Sequence, residues 1–119
     1  MDEKRLKKYK ETRYKRELER FLNRCVAFAQ QERGTREDFD TLVDRIEAKL
    51  QEVEKVPLYN DYYGRLERFV EMVGGLRRGE EEADGVKAQI QHEANRIRKS
   101  RRIKSYNRKR KNGGFEEGF

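Results

Sequence analysis

Between Arg96 and Asn112 the sequence reads RIRKSRRIKSYNRKRKN, with ten Lys or Arg in its first sixteen residues and no acid. Such a block suits one kind of chemistry, holding phosphate or carboxylate oxygens by charge and hydrogen bonding. The charge comes from Arg96, Arg98, Lys99, Arg101, Arg102, Lys104, Arg108, Lys109, Arg110 and Lys111. Tyr106 lies among them with a ring able to stack on an unpaired base, and Ser105 and Asn107 can donate to phosphate oxygens. On a helix these cations ring the axis instead of forming one stripe. Their repulsion opposes ordering until a polyanion neutralises it.

Covalent and metal chemistry have less to work with. His92 is the only histidine and Cys25 the only thiol, and they fall on different predicted helices. Cys25 sits inside an apolar stripe, which suits a buried small residue better than a nucleophile. No set of Cys and His has zinc-ligand spacing, so no metal and no cofactor are expected. Asp40, Asp44 and Glu47 share one helix face, but Arg45 and Lys49 flank them and a solvated acidic face is expected. Gly74-Gly75-Leu-Arg-Arg-Gly79 lacks the Lys-Ser/Thr ending of a phosphate-binding loop. The chain reads as non-enzymatic.

The distribution of charge supports a polyanion partner. Residues 1–24 sum to +5, residues 25–95 to −6 and residues 96–119 to +8, within a net +7. The first helix adds a second basic patch of Lys4, Arg5, Lys7, Lys8, Lys10, Arg13, Lys15 and Arg16. Glu3, Glu11 and Glu17 interleave it, and pairs such as Glu11–Lys15 account for half of it as helix stabilisation. Three outlets for the C-terminal block remain: nucleic acid, an acidic protein or lipid, or a solvated tail. A membrane surface is the poorer fit, because no large apolar residues oppose the charges. Nucleic acid, DNA or RNA, is the preferred partner, contacted mainly through phosphates. The alternative is a protein–protein adaptor, chaperone or assembly factor whose basic segment docks on an acidic partner. A homodimer is compatible with either.

Two further groups fit docking to a protein. Tyr59, Tyr62 and Tyr63 open an apolar stripe, and tyrosine is a common interface anchor. The terminus GGFEEGF sets Phe115 and Phe119 around a pair of acids. Over these seven residues it resembles in kind the acidic, Phe-ending tip of bacterial single-stranded-DNA-binding proteins, which implies a docking peptide. A fold-back of this tip onto the basic block is the competing expectation.

The elements that position these residues follow from periodicity. With 45% charged and 34% hydrophobic residues the chain suits long amphipathic helices with narrow apolar stripes. Leu6, Tyr9, Tyr14, Leu18, Phe21, Leu22, Cys25, Val26 and Ala29 recur at helical spacing, predicting a helix over about 2–33. Gly34 stops it, and Thr35 with Asp38 forms a capping box for a second helix over 36–55 with Phe39, Leu42, Val43, Ile46, Leu50 and Val53 inward. Pro57 is placed in the first turn of a third helix over 58–73, ended by Gly74-Gly75. A fourth, over 80–100, carries Val86, Ile90, Ala94 and Ile97, and its packing support is expected to end at Ile97.

The expected fold is all-α: a three- to four-helix antiparallel bundle over 1–100. Residues 101–119 are expected as a basic helical arm and a flexible acidic-aromatic tail. A single cysteine, no secretion signal and no apolar run long enough for a bilayer predict an intracellular protein, in the cytoplasm or at the nucleoid or nucleus.

Overall fold

A computed structural model describes the backbone of residues 2–113 and the side chains of residues 2–101. Four helices account for the regular structure: α1 Glu3–Ala29, α2 Arg36–Gln51, α3 Asp61–Arg78 and α4 Ala83–Gly113. Among the described residues there is no strand and no helix long and apolar enough to cross a membrane.

Each helix buries the stripe its sequence carries. One core joins Tyr14, Leu18, Phe21, Leu22, Cys25 and Val26 of α1 to Phe39, Val43 and Ile46 of α2, Leu66, Phe69 and Val73 of α3, and Val86, Ile90, Ala94 and Ile97 of α4. Phe28, off the predicted stripe, is buried as well and packs on Phe39 with ring centroids 5.6 Å apart. Leu6 and Tyr9, by contrast, are exposed, because the first turns of α1 run beyond the packed body. Lys10–Glu54 and Phe28–Phe39 set α2 antiparallel to α1, and Gln31–Lys87 and Glu19–Arg101 set α4 antiparallel to α1.

The capping box at the start of α2 forms as predicted: Thr35 Oγ1 accepts from the Asp38 N–H at 3.1 Å, and Asp38 Oδ2 accepts from the Thr35 N–H at 3.0 Å. These bonds to Thr35, with a smaller contribution from the Lys87 charge, hold the Asp38 carboxyl below its ordinary pKa.

The helix ends differ from the expected ones, for physical reasons. α1 stops at Ala29, not Arg33, because α4 takes carbonyls at and just beyond that point: Gln91 donates to Ala29 O at 3.1 Å and Lys87 to Gln31 O at 2.7 Å. α2 stops at Gln51, where two tightened turns carry Val53 into the core. Pro57 lies in the connection, not in helix three. Asn60 provides the cap instead, its Oδ1 accepting from the Tyr62 N–H at 2.8 Å. Tyr59 therefore precedes the helix and is 97% exposed.

Gly74-Gly75 does not end α3, although each glycine costs about 1 kcal/mol against Ala. Gly74 is buried beneath side-chain ends, where a Cβ would meet Glu47 Oε2 at 3.2 Å and Arg78 Nη1 at 3.4 Å. The true end of α3 is held by Arg36. Its guanidinium donates to the carbonyls of Leu76, Arg77 and Gly79 at 2.8, 2.8 and 2.9 Å, and to that of Glu81.

α4 begins three residues late, at Ala83, and then continues without interruption to Gly113. Of residues 101–119, expected as arm and tail, those to Gly113 continue the helical backbone. Ile97 is buried and Arg101 contacts the body, so the packed part reaches further into the basic block than its stripe implied.

Candidate nucleic-acid interface

The root of the basic block is a small aromatic and ionic cluster where α1, α3 and α4 meet. Arg101 lies 4.9 Å over the Tyr62 ring and donates to Glu19 Oε2 at 3.3 Å and to the Tyr62 hydroxyl at 3.4 Å. The Tyr62 and Tyr63 rings stand edge to face at 5.0 Å, and the Lys15 ammonium lies 5.2 Å over Tyr63. The Tyr63 hydroxyl donates to Glu19 Oε1 at 3.3 Å. Burial, with Glu19 beside it, pushes the Tyr63 phenol above its ordinary pKa. The Tyr62 hydroxyl and then Glu19 raise that of Arg101. One ring face of each tyrosine is thus already covered by a cation.

Elsewhere in the block the cations are less engaged. Arg96 pairs with Glu93 at 3.2 Å within one turn of helix. Arg98 and Lys99 are exposed, and among the described residues neither side chain makes an ion pair or hydrogen bond. Arg102, Lys104, Tyr106, Arg108, Lys109, Arg110 and Lys111 fall on the helical backbone of α4, but their side chains lie outside the described residues. Phe115 and Phe119 lie outside them altogether. Of the residues predicted for docking, Tyr62 and Tyr63 are brought together and half-buried, while Tyr59 stands apart.

Cys25 and His92 are not brought together. The Cys25 side chain has no exposed surface and burial pushes its thiol up to about 12, while His92 is exposed on α4. The acidic face of α2 is neutralised by arginines: Asp40 pairs with Arg36 at 3.0 Å and Asp44 with Arg77 at 3.2 Å. Among the described residues no group of three His, Cys, Asp or Glu is placed to hold a metal ion.

Besides the patch read at the start of α1, sequence reasoning missed a further basic surface that shares only Arg13 with it. Arg13, Arg20 and Arg24 of α1 and Lys49 of α2 line a cleft of about 240 Å³. The spacing of the three arginines was readable, but Lys49 joins them only through the packing of α2. The buried Lys87, which closes α1, was missed for the same reason.

No protein family matches the chain, and neither does any curated protein or solved structure. The functional reading therefore rests on the chemistry of the surface.

Proposed function

We propose that this chain is a small, non-enzymatic helical protein that binds nucleic acid through phosphates, using the basic C-terminal part of α4. The supporting observation is that one continuous helix carries both core residues and the acid-free block. Val86, Ile90, Ala94 and Ile97 anchor α4, and the same helix then presents Arg98 and Lys99 to solvent. A rigid anchor lowers the ordering cost of the cations that follow it. The engaged faces of Tyr62 and Tyr63 favour backbone contact over base stacking, so affinity exceeds sequence specificity.

A direct test compares the full chain with its R98Q/K99Q/R102Q/K104Q variant in fluorescence-anisotropy titrations against labelled RNA and DNA at low salt. The variant is expected to bind at least about tenfold more weakly, since each lost phosphate contact removes a share of the counterion-release term. Equal binding by both would remove α4 from the interface.

The second reading, an adaptor for a protein partner, is favoured by one apolar surface. Leu6 (41% exposed), Tyr9 (53%) and Tyr59 (97%) leave large side chains in solvent, and Leu6 and Tyr59 line a groove of about 340 Å³ with Val56 and Pro57. It becomes the leading reading if the full chain fails to bind nucleic acid.

A further inference from the structure

The cleft between α1 and α2 carries a charge arrangement that helix stabilisation explains only at Arg20, through its i,i+3 pair with Glu17. At 100° per residue, Arg13, Arg20 and Arg24 lie within about 40° of one another on α1. They span about 16 Å of helix axis, a length over which one strand of a duplex presents about five phosphates. All three side chains are exposed, and Lys49 faces them from α2. Two acids share the cleft, Glu17 and Glu52. Glu17 is committed to Arg20 at 2.8 Å, and Arg13 rests 5.8 Å over the Tyr9 ring. Among the described residues the side chains of Arg24 and Lys49 make no ion pair or hydrogen bond. The lining keeps an excess of positive charge, and its only aromatic, Phe21, is buried in the core. Such a cleft suits backbone phosphates and offers no ring for base stacking.

Its position gives it a consequence of its own. The arginine row lies about 120° round α1 from Glu19, the residue that receives Arg101 of α4. α2 borders α1 on the cleft side and α4 borders it on the Glu19 side. The two basic surfaces are therefore on different flanks of one helix.

We propose that the α1–α2 cleft is a second phosphate-binding site, so that one chain holds two nucleic-acid duplexes at once, one on α4 and one on the row Arg13, Arg20, Arg24 and Lys49. This rests on the nucleic-acid reading of α4 and adds bridging to it. Two separate duplexes fill such sites independently, and an avidity gain arises only where both segments belong to one nucleic-acid molecule.

The test is a capture assay with the full chain: an immobilised duplex is loaded with protein at low salt, and retention of a second, labelled duplex is measured. Wild type should retain the second duplex. The R13Q/R20Q/R24Q/K49Q variant should lose at least about tenfold of that retention while its affinity for a single duplex falls by less than about threefold. The double variant R24Q/K49Q, which removes no described ion pair, should lose retention in the same direction; urea unfolding of both variants checks that the fold persists. Undiminished retention by both variants, or wild type that binds one duplex and captures no second, overturns bridging and leaves the α4 reading standing. Wild type that binds no duplex at all overturns both.

Discussion

Replacing Arg36 by Ala should cost more stability than its partly exposed position suggests. The side chain is 24% exposed, yet it closes the C-terminus of α3 by donating to four carbonyls, those of Leu76, Arg77, Gly79 and Glu81. It also pairs with Asp40 at 3.0 Å and covers the Phe39 ring at 5.7 Å. Removal leaves the carbonyls to water, at about 0.5–1 kcal/mol each for a net hydrogen bond. The partly buried ion pair adds about 1 kcal/mol. Because these contacts share one group they do not add fully, and the expected loss is about 2–4 kcal/mol. For a domain of this size that corresponds to a fall in Tm of about 8–16 °C. Urea unfolding followed by far-UV circular dichroism measures it. Arg36→Lys keeps the charge but not the planar fork, so it should recover less than half of the loss. Arg33→Ala, exposed in the preceding loop, should stay within about 0.5 kcal/mol of wild type. A loss below about 1 kcal/mol for Arg36→Ala would refute the role assigned to Arg36, since it would mean that water replaces all four bonds without cost.

Two glycines should respond in opposite directions. A Cβ on Gly34 would come within 2.7 Å of Phe28 Cε1, an atom of a core ring, so Gly34→Ala should destabilise by about 1–3 kcal/mol through overpacking. Gly75→Ala, within α3 and with nothing within 4 Å of the new Cβ, should stabilise by about 0.5–1 kcal/mol; urea midpoints of the pair decide both. Alkaline pH should destabilise the fold. Burial pushes the Cys25 thiol up to about 12, and burial with Glu67 and Glu19 respectively raises Tyr14 and Tyr63. The unfolded chain releases these protons from about pH 8.5 for Cys and about pH 10 for Tyr, while the folded chain keeps them. Stability is therefore complete below about pH 8.5 and falls as pH rises, by about 1.4 kcal/mol per pH unit for each retained proton. A urea midpoint constant from about pH 7 to pH 10.5 would contradict these environments.

The sequence showed local structure well and long-range structure poorly. The Thr35–Asp38 box and the stripe Val86, Ile90, Ala94 and Ile97 depend on residues within a few turns of one another, and both formed as predicted. The helix ends were misplaced where a distant side chain decides them. Arg36 carries α3 past Gly74-Gly75, and Lys87 and Gln91 stop α1 at Ala29. The same division holds for the candidate site. Ten cations in sixteen residues can be counted in the sequence. That Arg101 locks onto Tyr62 and Glu19, or that Lys49 completes an arginine row on another helix, depends on packing between elements far apart in the chain.

The salt dependence of nucleic-acid affinity tests the central claim most directly. Of the ten cations between Arg96 and Lys111, Arg96 and Arg101 are engaged with Glu93 and Glu19. If half of the others meet phosphates of a duplex, about four contacts form, and log K should fall linearly with log salt at a slope of about −3 to −4. A full chain that binds duplex tightly with a slope near zero, or that shows no binding at low salt, would contradict the phosphate-directed account.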